Sequence, residues 1–125
     1  MVRWSSIVEQ ILNKWRELAV ICGCRDDEAE REVAQLPRNP PDNPFELRKC
    51  SSCMLREILE ESYVVQVPLY SASTETMVYV LEDAVVEISE DCGYVVSRTN
   101  AESLVQLLDE LGFDVGILRE FLSKS

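Results

Sequence analysis

The sequence predicts an α+β fold: three N-terminal helices packed with a four-stranded antiparallel meander, followed by two C-terminal helices. Changes in hydrophobic periodicity give this order. Apolar residues recur at helical spacing from Ile7, alternate with a period of two from Tyr63, and return to helical spacing after Thr99. The 125 residues predict a single domain, with residues 1–62 as its helical part and residues 63–125 as the sheet and last two helices.

The first two helices are indicated by their end signals. Ser6 and Glu9 have the spacing of a capping box, which predicts Ser6 as the N-cap of the first helix. Gly23 is suited to end that helix, because glycine adopts the left-handed conformation without steric cost. Asp26 is suited to begin a second, shorter helix.

A proline-rich stretch separates the second helix from the third. Residues 37–44 hold four of the five prolines and predict a stiff, extended connector. Asn43 as a cap, Pro44 at the first helical position and Glu46 at the third predict that the third helix begins there. Cys50 would then lie nearly two turns inside the helix.

Four strands are predicted in the second half of the chain, over residues 63–70, 77–81, 84–89 and 94–98. Pro68 lacks an amide donor, so the first of them is predicted at an edge of the sheet. Much of each strand is apolar on both faces. We expect one face to meet the helices and the other to be a partner surface.

The net charge of −11 is unevenly distributed. Residues 1–62 hold 9 basic and 12 acidic side chains, whereas residues 63–125 hold 3 and 11. Such a surface repels phosphate backbones, so direct nucleic-acid binding is not expected. The acidity predicts solubility or contact with a basic protein, and Glu87, Glu90 and Asp91 are the expected partner-binding residues.

Four cysteines form two close pairs on either side of the connector: Cys22 and Cys24, and Cys50 and Cys53. Three interpretations stay open. The four thiolates are suited to a structural zinc site, disulfides would crosslink the first and third helices once or twice, and free thiols would pack as small apolar groups. Disulfides in a cytoplasmic protein would indicate a thermophile.

Thiol redox catalysis is disfavoured by the predicted position of Cys50. A redox C-x-x-C pair uses a helix N-terminus to lower a thiol pKa, and six residues separate Cys50 from Pro44. Cys92 lies in an acidic hairpin loop, where we expect a raised pKa and poor reactivity.

The chain carries no constellation typical of an enzyme. It has no histidine, and its four glycines are scattered, so His-dependent triads and glycine-rich phosphate loops are excluded. No catalytic or cofactor-binding residue is predicted. The expected cofactor is none, or one structural zinc.

The leading interpretation is therefore a non-enzymatic protein-interaction module, or a small regulatory or assembly subunit, stabilised by its cysteines. One alternative is an acidic antagonist that imitates nucleic acid in front of a basic protein; another is a metal or thiol-redox sensor. The expected partner is another protein, in a homodimer or a hetero-complex. No apolar run is long enough for a membrane span, and a cytoplasmic location is expected.

Overall fold

A five-stranded antiparallel sheet lies between two layers of helices in the computed structural model, which describes residues 2–124. The helices are α1 (Trp4–Cys22), α2 (Asp26–Gln35), α3 (Lys49–Glu61), α4 (Ala101–Glu110) and α5 (Gly116–Ser123). The strands are β1 (Phe45–Leu47), β2 (Val65–Tyr70), β3 (Glu75–Val80), β4 (Ala84–Ile88) and β5 (Gly93–Ser97), in the spatial order β1-β5-β4-β3-β2. The α+β class is confirmed, and the sheet has one strand more than predicted.

The first helical layer consists of α1, α2 and α3. The apolar side of α1 is buried, and Gly23 ends the helix with a φ of 69°, as predicted. The predicted start is wrong by three residues: α1 begins at Trp4, and the Ser6 hydroxyl donates to the Arg3 carbonyl at 2.8 Å inside the first turn.

The extra strand occupies the segment predicted as the start of the third helix. Phe45, Glu46 and Leu47 form β1 and pair with β5, with Leu47 opposite Gly93. Leu47 is buried, so strand pairing and burial outweigh the local capping signal of Asn43 and Pro44. The predicted helix start is therefore wrong. Helix α3 begins at Lys49, which makes Cys50 its second residue.

A carboxylate from a neighbouring helix caps α3. The Ser51 amide donates to Glu32 Oε1 on α2 at 2.8 Å, and the Arg48 amide donates to Ser51 Oγ at 3.1 Å. Glu32 is only 9% exposed. An acid at a helix N-terminus is favoured by the helix dipole, so Glu32 joins α2 to α3.

Two disulfides join the C-terminal end of α1 and the turn that follows it to α3. Cys22 is bonded to Cys53 and Cys24 to Cys50, with Cα–Cα distances of 6.0 and 6.1 Å. Both close pairs therefore cross between the two helices. The loop closed by the inner bridge lies inside the loop closed by the outer one.

Strand β2 lies at an edge of the sheet, as Pro68 predicts. The Tyr70 carbonyl accepts from the Asp114 amide at 2.9 Å, so the polar backbone groups of Tyr70 point away from β3. Residues two apart in a strand point to the same side, so the nitrogen of Pro68 also points outward. The proline therefore removes no hydrogen bond from the ladder.

Both faces of the sheet are covered by helices, which corrects the expectation that one face is a partner surface. Residues of α1–α3 cover one face, and α4 and α5 cover the other through Leu104, Leu108 and Leu118. An uncovered part of the sheet lies on the α1–α3 side of the edge strand β2, where Gln66, Pro68 and Tyr70 are exposed.

Trp4 holds the start of α1 to two distant segments. Its indole Nε1 donates to the Pro37 carbonyl at 2.8 Å, and its backbone amide donates to Asp83 Oδ1 at 2.8 Å. The ring is fully buried.

Residues 37–44 form neither helix nor strand, in agreement with the predicted connector, and the Pro41 carbonyl accepts from the Ser97 amide at 2.7 Å.

Candidate interaction groove

A groove opens between α3 and the end of the sheet where β3 begins and β4 ends. Its volume is about 280 Å³. Its floor is formed by Met77, Tyr79 and Ile88, which belong to the core beneath α3. We call this surface the acidic groove, because exposed carboxylates surround the apolar floor.

The carboxylates come from three separate elements. Glu60 lies on α3, Glu75 is the first residue of β3, and Glu90 lies in the loop between β4 and β5. All three residues are exposed. The fold therefore gathers acids that are up to 30 positions apart in the sequence.

Arg56 fixes the shape of the groove. Its guanidinium donates to the backbone carbonyls of Ser89 and Glu90, the latter at 3.4 Å. These bonds tie the β4–β5 loop to α3. Arg56 is the one basic residue among the described residues that line the groove.

The groove continues onto the uncovered part of β2. Pro68 is opposite Met77, and Tyr70 is opposite Glu75 in the register of β2 and β3. Tyr70 is 57% exposed. An apolar platform thus adjoins the acidic groove, and the combined surface presents both apolar area and negative charge.

The Tyr79 hydroxyl is affected by this environment. Burial and the nearby Glu60 carboxylate raise the pKa of Tyr79 from 10.0 to about 12, and Arg56 partly opposes them. Near neutral pH the phenol is therefore protonated, and it contributes no charge to the groove.

Alkaline solution should destabilise the protein through Tyr79. Because its folded-state pKa lies above the ordinary value of 10.0, the stabilisation is complete below pH 10 and is lost as pH rises through about 12. The shift corresponds to about 2–3 kcal/mol. Urea unfolding of the wild type and of Tyr79→Phe between pH 8 and 12 measures this: the wild type should lose the larger share of its free energy of unfolding. Equal losses would contradict the assignment to Tyr79.

The predicted partner-binding residues lie in different places. Glu90 lines the groove, and Asp91 is exposed beside it. Glu87 is only 2% exposed and lies on the α4–α5 side of β4 between Val78 and Tyr94. It therefore does not belong to the exposed acidic surface.

Hydroxyl groups satisfy the buried Glu87 carboxylate. Thr76 Oγ1 donates to Glu87 Oε2, and Ser89 Oγ lies 2.7 Å from the same oxygen. The sequence did carry a signal that Glu87 is buried. The residues on either side of it in β4 are apolar on both faces, and a strand that is covered on both faces buries every one of its side chains.

The fifth cysteine is free and exposed in the β4–β5 loop. Burial raises the pKa of the Cys92 thiol most strongly, followed by the Glu87 and Glu46 carboxylates, while a hydrogen bond with Ser89 lowers it. The expected direction of the shift is confirmed. A raised pKa keeps the thiol protonated and weakly nucleophilic near neutral pH.

Comparison with protein-family models finds no match for this chain. Comparisons with curated proteins and with solved structures find none either. Function is therefore inferred from the chain's own residues.

Within residues 2–124, none of the helices combines the length and apolar character that crossing a bilayer requires.

A larger cavity of about 440 Å³ lies between α2, β1 and the start of α3. Its buried acid, Glu32, already accepts a hydrogen bond from the Ser51 amide, so this group has a structural role. The acidic groove differs in that its three carboxylates are exposed and stand beside an uncovered strand. Sequence reasoning missed Glu60 and Glu75, because only the packing of α3 against the sheet brings them beside Glu90.

Proposed function

We propose that this chain is a non-enzymatic protein-interaction module, a small regulatory or assembly subunit, whose acidic groove binds a basic and partly apolar segment of another protein. One observation supports this most directly: Glu60, Glu75 and Glu90 surround the floor of Met77 and Tyr79. Exposed acids around an apolar floor suit a segment with an apolar side chain flanked by lysine or arginine.

The charge of the whole chain supports a basic partner. At −11, the long-range field attracts cationic segments and raises their association rate. The apolar floor and the adjoining Pro68 and Tyr70 then supply area that is removed from water on binding. Charge would thus select the partner, and apolar burial would retain it.

The edge strand favours contact through side chains. Addition of a partner strand to β2 needs outward amide donors, and Pro68 offers none at the middle of the strand. The partner segment is therefore expected to lie in the groove and over the side chains of β2, without extending the sheet.

The groove chemistry supports a binding role over catalysis. The chain has no histidine, and the raised pKa of Tyr79 makes this phenol a poor general base near neutral pH. The antagonist alternative loses support because Glu87 is buried, which leaves Glu90 and Asp91 of the three acids on which it depended.

A selection of peptides from a random phage-displayed library tests this proposal. We expect selected peptides to carry lysine or arginine next to apolar residues. Replacing Glu60, Glu75 and Glu90 by lysine should weaken their binding about 30-fold or more, since three surface pairs contribute about 0.7 kcal/mol each. Added salt should weaken binding to the wild type.

A control variant separates the effect of the groove acids on binding from the effect of the overall net charge. Lysine at Glu9, Glu17 and Glu30, three exposed acids on α1 and α2, changes the net charge by the same amount. This variant should keep most of the affinity in isothermal titration calorimetry. Equal weakening in both triple variants, or selected peptides without basic residues, would contradict the proposal.

A further inference from the structure

We infer that reduction of the Cys24–Cys50 disulfide creates a binding site for a thiophilic divalent cation such as zinc, with Cys24, Cys50 and Glu28 as ligands. This inference is independent of the proposed function. The two sulfurs and a carboxylate oxygen of Glu28 all lie within 4.8 Å of one another. Two ligands of one tetrahedral zinc lie about 3.5–3.8 Å apart. The two sulfurs must therefore move apart once their bond is broken, whereas the Glu28 oxygen, which lies within 4.8 Å of both, needs only a small adjustment.

The three ligands come from three segments whose backbones are fixed without the disulfide. The Cys24 amide donates to the Ala19 carbonyl at 2.8 Å after the turn at Gly23. Glu28 lies in the first turn of α2, and Cys50 lies in the first turn of α3, which Glu32 caps. Opening the sulfur–sulfur bond therefore leaves all three groups near their present positions.

The electrostatic setting favours the ionised ligands. Cys50 is the second residue of α3 and Glu28 the third residue of α2, so two helix N-termini meet at the site. The partial positive charge at each terminus stabilises a thiolate or a carboxylate. Thiol redox catalysis was disfavoured from the sequence because Cys50 was predicted to lie nearly two turns inside the third helix. The structure instead places Cys50 in the first turn of α3.

The chemistry of the disulfide makes the site dependent on redox state. A phosphine reductant attacks one sulfur and takes the oxygen of a water molecule to become a phosphine oxide, while the two sulfurs receive the protons of that water. Zinc then replaces the two thiol protons as the thiolates coordinate it. The fourth position is left to a water molecule.

Metal titration of the wild-type protein tests the inference first. Protein reduced with tris(2-carboxyethyl)phosphine should bind one Zn²⁺ in competition with a chromophoric chelator, and the oxidised protein should bind none at this site. Co²⁺ used as a probe should give a thiolate charge-transfer band only after reduction. Circular dichroism should show a higher melting temperature of the reduced protein with zinc than without it. Equal binding before and after reduction would overturn the inference.

Two double variants distinguish this site from a site of four thiolates. Cys22→Ser with Cys53→Ser keeps the proposed ligands and should bind zinc after reduction. Cys24→Ser with Cys50→Ser removes two of them and should lose binding. Loss of zinc binding in both double variants would overturn the assignment in favour of a four-thiolate site.

A substitution that leaves every cysteine in place tests the carboxylate ligand. Glu28→Gln should raise the Kd for zinc at least about tenfold, because even groups outside the coordination sphere change metal affinity by about 10–100-fold. Glu30→Gln, at an exposed position of the same helix, is the matched control and should leave the Kd unchanged. An unchanged Kd in Glu28→Gln would overturn the role of Glu28.

Discussion

Removal of both disulfides should lower the free energy of unfolding by about 6 kcal/mol, whereas removal of either one should cost only about 2 kcal/mol. The reason is their nesting. The bridges span 31 and 26 residues, and either alone restricts the unfolded chain by about 3.5 kcal/mol. Once one is formed, the other closes a ring of only about seven residues, which adds about 2 kcal/mol.

Thermal unfolding followed by circular dichroism measures this difference. At about 4 °C per kcal/mol for a chain of this size, the single-bridge variants should melt about 8 °C lower and the variant without bridges about 24 °C lower. Serine replaces the cysteines of each bridge, in a Cys92→Ser background that prevents exchange with the free thiol. Additive losses from the two bridges would show that the unfolded chain does not behave as nested loops.

Trp4→Ala should destabilise the protein by about 3–5 kcal/mol, as expected for truncation of a fully buried aromatic ring. The truncation leaves a cavity at the start of α1 and removes the donor to the Pro37 carbonyl. Both effects act where α1 meets the connector and the turn that holds Asp83. Urea unfolding measured by far-UV circular dichroism gives the change without depending on tryptophan fluorescence.

Trp4→Phe separates the two contributions. Phenylalanine refills most of the cavity but cannot donate to Pro37, so about 1–2 kcal/mol should be lost. The half-buried Trp15 provides a comparison, since truncation there should cost less than at Trp4. A loss at Trp4→Ala no larger than at Trp15→Ala would contradict the role given to Trp4.

Local signals in the sequence predicted the structure correctly where the locally favoured conformation is also the one that the fold requires. Gly23 ends α1 in the left-handed conformation, and Pro68 lies in an edge strand with its nitrogen pointing outward. The cysteine spacing indicated that the first and third helices are joined. It left the chemistry open, because pair spacing alone does not distinguish metal ligands from disulfides.

The prediction failed where contacts between distant segments decide the structure. The capping signal at Asn43 and Pro44 is genuine in isolation, yet the pairing of β1 with β5 takes Phe45–Leu47 into the sheet. Glu87 appeared as one surface acid among several, although Thr76 and Ser89 supply the hydroxyls that allow its burial. No sequence pattern encodes the position of a hydrogen-bond partner on a neighbouring strand.

The two helical layers are held to the sheet in different ways, and this affects the order in which parts of the molecule open. Helices α1 and α3 cannot separate at their linked ends while both bridges are intact. Helix α5 has eight residues and one fully buried side chain, Leu118, and no covalent link holds it. Its amides should therefore exchange with solvent through local fraying, long before the crosslinked layer opens. We therefore expect the crosslinked layer of α1–α3 to stay closed while α5 opens and closes locally.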